Sequence, residues 1–233
     1  MTPIYSSYYV ALGLALMATA CFDTEQVALA SRVSVDDFED GDELANAASG
    51  FGPWSCGAYP EGQDEAPSCE LAPGSESTFA ESITFSLQEG RGAKPTGAIL
   101  AVSTLAPSRD LRAFNRIGFR AKFDPGEPAP PEEARLLCEL FCSSADAERD
   151  DMDPDKSVVY HARTDNGVAL PGDWSTYSLS LAAFQQPGWQ GQFYDEASCF
   201  SLVDAIRFRV ETNMTTEGQA AAGTLAIDDV YLE

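Results

Sequence analysis

From Val33 onward, apolar and polar residues alternate with a period of two in short runs, and clusters of Gly, Pro, Asn and Asp break the runs. Successive side chains on a strand point to opposite faces, so this period gives each run one face for a core and one for water. It predicts strands over 33–38, 82–87, 98–104, 115–123, 135–143, 157–162, 175–180, 205–211 and 224–232. No run carries the 3.6-residue period of a long amphipathic helix. Short strands spaced by turn signals predict an all-β fold, a jelly-roll β-sandwich of two antiparallel sheets. The proline-rich stretch 124–133 reads as a surface connection, because proline gives no donor to a strand ladder. The acidic stretch 145–156 reads as a solvated loop. It lacks the glycine and the distal glutamate of an EF-hand.

The same alternation sorts the basic residues. With Ile117, Phe119, Ala121 and Phe123 inward, Arg116, Arg120 and Lys122 face the other way; with Ile206, Phe208 and Val210 inward, Arg207 and Arg209 do the same. If both strands share a sheet, they build a basic face suited to uronic-acid or sulfated sugars. The competing reading is a ladder of cross-strand ion pairs with Glu139 and Glu211.

The first residues carry a different pattern. Residues 10–20 are apolar and end in Ala18-Thr19-Ala20-Cys21, the small-residue shape of a lipoprotein cleavage site. The run is shorter than the ~20 residues a membrane span needs. Expected are a signal segment over 1–20, a linker over 21–32 after a lipidated Cys21, and one domain over 33–233, held at the cell envelope by an acyl anchor. A secreted protein cut after Ala30 is the alternative, and the leader lacks the usual Lys or Arg.

Fourteen basic against thirty-seven acidic residues give a net charge of −23, which repels polyanions at long range and argues against nucleic-acid binding. Export permits disulfides, and five cysteines follow Cys21, so one thiol is left over. Cys56 and Cys69 bracket a turn-rich stretch and are expected to pair. Cys138 and Cys142 on one strand stand roughly 13 Å apart, too far to bridge each other, and Cys142, near that strand's end, is expected to pair with Cys199.

Acidic segments frame the domain: Asp36-Asp37-Phe38-Glu39 opens it and Ile227-Asp228-Asp229-Val230 closes it. Between them come Gly172-Asp173-Trp174, then Phe184-Gln185-Gln186-Pro187-Gly188-Trp189, then Asp204-Ala205-Ile206-Arg207-Phe208. This succession resembles family 11 carbohydrate-binding modules, of the galactose-binding-like jelly-roll class, and their relatives on exported bacterial lipoproteins. The resemblance implies a structural calcium ion and a glycan groove on the concave sheet face. Glu39 and Asp229 match the family's cation ligands best, with Asp37 and Asp228 second.

A sugar ring packs its C–H face on an aromatic plane while its hydroxyls need polar partners. Trp54 and Tyr59 lie in one expected Gly/Pro-rich loop, and Trp189 and Tyr194 in another beside Gln186. These residues, with Arg207 and Arg209, are the expected ligand contacts, and Trp174 is expected in the core. The single histidine, His161, sits in a strand pattern, and no nucleophile elbow, phosphate loop or zinc-hydrolase helix is present. The expected function is non-catalytic polysaccharide binding, with acidic polysaccharide as one ligand class. A structural or adhesion protein that contacts another protein, and a glycoside hydrolase, are the alternatives.

Overall fold

The computed structural model describes residues 32–59, 66–76, 79–88, 97–105, 108–142, 160–164, 167–185, 199–212 and 220–233; residues 47, 59 and 160–164 are described through their backbone. The strands are β1 (Val33–Asp36), β2 (Phe51–Tyr59), β3 (Ser68–Pro73), β4 (Phe79–Leu87), β5 (Gly97–Thr104), β6 (Arg116–Pro125), β7 (Arg135–Cys142), β8 (Tyr160–Thr164), β9 (Val168–Ala169), β10 (Ser175–Ser180), β11 (Phe184–Gln185), β12 (Val203–Glu211) and β13 (Ala221–Leu232). One sheet runs β10-β6-β13-β4-β3, with β1 also on β13; the other runs β11-β8-β7-β12-β5-β2, with β9 on β7. The pairings are antiparallel, and the molecule is the expected jelly-roll sandwich. Among the described residues no helix is long and apolar enough to cross a membrane.

The core is the sum of the inward positions. Ile83, Phe85 and Leu87, Ile117, Phe119 and Phe123, and Leu225 and Ile227 come from the first sheet; Leu100 and Val102, Leu136 and Leu140, and Ile206, Phe208 and Val210 come from the second. An aromatic chain ties the layers together. Phe38 lies 5.4 Å from Trp54, Trp54 lies 6.2 Å from Phe208, and Phe208 meets Phe119 edge-on at 4.7 Å.

The opening and closing strands meet: β1 pairs with β13, Val33 opposite Leu232 and Asp36 opposite Val230. Cys56–Cys69 joins β2 to β3, the edge strands of opposite sheets, and so closes one side of the sandwich. Cys142–Cys199 fastens β7 to the segment before β12. Cys138 is the free thiol among the described cysteines, buried against the core, and burial pushes its pKa up.

Three expectations are corrected. Residues 51–59, read as a loop, form β2, and Trp54 on it points inward. Trp174 is half-buried and stands outside the core cluster. The basic strands β6 and β12 belong to opposite sheets, so they do not build one basic face.

Candidate functional site

The outer face of the first sheet is filled by its own side chains. The ring of Tyr231 lies on Gly118, where any Cβ would collide with it, and the Arg32 guanidinium sits 3.7 Å above that ring. The basic residues of β6 have partners. Arg116 donates to the Ser178 hydroxyl, Arg120 to Ser75 and Glu76, and Lys122 to Asp124.

The second sheet presents a different surface. One row crosses it from edge to edge: Ser55 is in register with Ala101, Ala101 with Arg207, Arg207 with Glu139, Glu139 with Arg163, and Arg163 with Gln185. In a two-faced strand the residues opposite one another share a face, so Ser55, Ala101, Arg207 and Glu139 lie on the side away from Ile206 and Leu140, and Arg163 and Gln185 continue the row in backbone register. On β2 and β5 the outward positions include Ser55, Gly57, Ala101 and Ser103, which are small; on β12 and β7 they include Arg207, Arg209, Glu139 and Phe141, which are large. The face therefore has low ground along one side and charged groups along the other.

At its far end the face is covered by Gly167, just before β9. Gly167 adopts φ +59°, and a Cβ there would come within 2.8 Å of both the Leu136 carbonyl oxygen and the Leu137 side chain. Only glycine satisfies that backbone and that approach together. Leu137, an outward position, is fully buried as a result of such cover.

Arg207 and Arg209, two residues apart on β12, have different surroundings. Arg209 is buried and bridges two carboxylates, Glu139 at 2.9 Å and Glu211 at 2.7 Å. The ion-pair reading thus holds for Arg209, which is a structural group and not the free ligand contact expected of it. Arg207 is half-buried, its guanidinium 3.2 Å from the centroid of the Phe141 ring, and its Nε is buried without a hydrogen-bond partner. Burial pulls its pKa down to about 10, and Glu139 opposes the fall, so it stays a cation at neutral pH.

The other expected contacts divide. Trp54 is 5% exposed and stacked in the core, with its Nε1 donating to Asp36 Oδ2 at 2.7 Å. Tyr59 takes the register position opposite Gly97, at the end of β2. Gln186, Trp189, Tyr194 and Cys21 lie outside the described residues, and so do the side chains of Arg163 and His161.

The acidic ends of the domain were expected to hold calcium. Asp228 is fully buried; its Oδ1 accepts the Asp229 N–H at 2.8 Å and its Oδ2 the Ser75 N–H at 2.9 Å. Asp229 faces the Arg120 guanidinium at 3.6 Å. Asp37 is half-buried and Glu39 exposed. Among the described residues no three acidic, histidine or cysteine side chains gather closely enough to hold a metal. As placed, these four do not fit a calcium cage; backbone donors and Arg120 meet Asp228 and Asp229 instead.

Sequence reasoning missed two other carboxylates, Asp36 and Glu81, both fully buried. Asp36 Oδ1 accepts the N–H of Phe38, whose φ is +55°, so this bond holds a bulky residue in a conformation it rarely adopts. Burial raises the Asp36 pKa from 3.8 to about 6, against the pull of the Phe38 and Trp54 donors. Glu81 has both carboxylate oxygens buried with no hydrogen-bond partner among the described residues, and burial, then Glu43 and Asp36, raises its pKa from 4.5 to about 7. The signal was present: Glu81 shares the inward parity of Ile83 and Phe85.

Both groups bind protons more tightly folded than unfolded. Their contribution to stability is complete below their ordinary values and is lost as pH rises through about 6 to 7. Between pH about 5 and about 8 the domain is expected to lose ~4 kcal/mol through them. Urea midpoints across that range should fall in the wild type and fall less in Glu81→Gln; parallel profiles would remove the assignment.

No family model matches the chain, and no curated protein matches it. Solved structures do. A family 11 carbohydrate-binding module of a cellulosomal cellulase of Clostridium thermocellum superposes with a TM-score of 0.50 at 15% identity, covering 87% of this chain and 94% of that one. A family 11 module from the same organism, in complex with a β-1,3-1,4-mixed-linked tetrasaccharide, gives 0.50 at 14% identity over 86% and 94%. The likeness is one of fold.

Proposed function

We propose that this protein binds polysaccharide without catalysis, through the outer face of the second sheet, and that an acyl chain on Cys21 holds it at the cell envelope. The observation that carries the reading is the polar row from Ser55 to Gln185 across a sheet face with low ground beside it. Sugar hydroxyls need placed donors and acceptors on a concave surface, and this row offers both kinds. The modules that share the fold include one whose bound ligand is a β-1,3-1,4-mixed-linked tetrasaccharide, which supports the same use here. For the anchor, the support is the apolar run ending at Ala20 and the small residues before Cys21.

A hydrolase would need paired carboxylates that a substrate can reach. Asp36 and Glu81 do have raised pKa values, yet both are fully buried. A protein-docking role would favour a broad exposed apolar patch. Among the described residues the large exposed apolar side chains are Leu44 and Leu105.

Affinity electrophoresis of the full chain in gels containing neutral or acidic polysaccharide tests the reading. At least one polysaccharide should retard the protein, and Ser55→Ala combined with Gln185→Ala, at the exposed ends of the row, should weaken retardation several-fold. Migration unaffected by every polysaccharide would end the carbohydrate reading.

A further inference from the structure

Among the described residues, the outward rows of β7 and β12 carry more positive than negative groups in a chain of net charge −23. Arg135, Arg207 and Arg209 have side chains described on β7 and β12, and Arg163 stands in register with Glu139; Glu139 and Glu211 are the carboxylates of the same rows. Arg209 is bound to both glutamates. Arg135 donates to the carbonyls of Glu132 and Ala134, which leaves its charge without a carboxylate counterpart among those contacts.

Arg207 is the group whose chemistry is incomplete. It stands directly opposite Glu139, but the ion pair of Glu139 runs diagonally to Arg209 instead. Among the described residues Arg207 has no hydrogen-bond or ion-pair partner, and what holds it is the Phe141 ring beneath its plane. A guanidinium held over an aromatic ring has lost much of its rotamer freedom before any ligand arrives, and part of its hydration is gone as well. Its planar fork matches the two oxygens of a carboxylate or sulfate. A neutral sugar offers it single hydroxyls and recovers less of the desolvation that burial has imposed.

Resting on the carbohydrate reading above, the geometry points to an anionic sugar as the ligand class, with Arg207 on Phe141 as the group that selects the carboxylate or sulfate over the neutral residue. The long-range field of the chain repels a polyanion, so binding of this kind depends on the local site and not on bulk attraction.

Paired ligands make the test. Polygalacturonate is compared with its methyl ester, and dextran sulfate with dextran, by affinity electrophoresis of the full chain. Retardation is expected from an acidic member and not from its neutral twin, and which acidic member works separates carboxylate from sulfate recognition. Arg207→Gln should weaken that retardation about tenfold or more, while Arg207→Lys keeps part of it. Lys122→Gln, on the other sheet, removes the same unit of charge and should leave it unchanged. Thermal unfolding of each variant checks that the fold persists. Equal retardation by neutral twins, or an Arg207→Gln variant that binds as the wild type does, overturns the anionic class and leaves carbohydrate binding standing. Retardation by none of the four overturns the anionic class as well, and neutral glucans in the same gels then decide the broader reading.

Discussion

Trp54→Ala is expected to destabilise the domain by ~4 kcal/mol, the range for deleting a large buried aromatic. The ring is 5% exposed and is the middle link between Phe38 and Phe208, so its loss opens a cavity between the segment after β1 and the centre of the second sheet. It also removes the donor that satisfies Asp36 Oδ2 in a fully buried position. Trp54→Phe separates the two effects. It keeps most of the apolar contact and loses the Nε1 donor, and should cost ~1–3 kcal/mol, the penalty of a buried acceptor left without its partner. Urea denaturation of both variants reads these losses. A Trp54→Phe protein that keeps its stability and loses polysaccharide retardation would return Trp54 to the ligand site.

The error about Trp54 has a definite source in the sequence. Gly52, Pro53 and Gly57 made residues 51–59 look like a loop, but β2 is the outermost strand of its sheet, where a proline costs no ladder hydrogen bond. A bulge between Phe51 and Trp54 absorbs Pro53 and resets the register. Beyond the bulge the alternation is regular, with Trp54, Cys56 and Ala58 toward the core and Ser55 and Gly57 away from it. β3, also unforeseen, is the edge of the other sheet and ends on Pro73. The interior strands were legible because burial on one face forces a strict period of two on them. Edge strands escape that demand, and the two-residue strands β9 and β11 are too short to show a period at all.

What alternation cannot convey is which sheet a strand joins. It placed Arg116, Arg120 and Lys122 outward on β6 and Arg207 and Arg209 outward on β12, and both statements hold. The long-range pairing of β13 with β6, and of β12 with β5 and β7, puts the two sets on opposite sides of the sandwich. The acidic ends were a similar case. Their meeting was legible from their likeness as strands, while the use of their carboxylates depended on Ser75 and Arg120, which come from elsewhere in the chain.

Arg207 and Arg209 had the same parity and the same sequence context, so nothing local separated a ligand contact from a structural one. Replacement should separate them. Arg209→Ala takes away the guanidinium that Glu139 and Glu211 share, and these carboxylates are 1% and 5% exposed. Breaking a buried ion pair from one side costs ~3–5 kcal/mol, because the carboxylates are left buried with each other and without that cation. The same rule says that the intact triad contributes little beyond an apolar cluster of equal size. Arg209→Met with Glu139→Leu and Glu211→Leu should therefore recover most of what Arg209→Ala loses. Arg207→Gln breaks no ion pair and should change stability by less than ~1 kcal/mol. Urea midpoints of the three variants give the comparison. If Arg209→Ala unfolds no more easily than Arg207→Gln, the triad is not what fixes β12 to β7, and the division of labour between the two arginines fails with it.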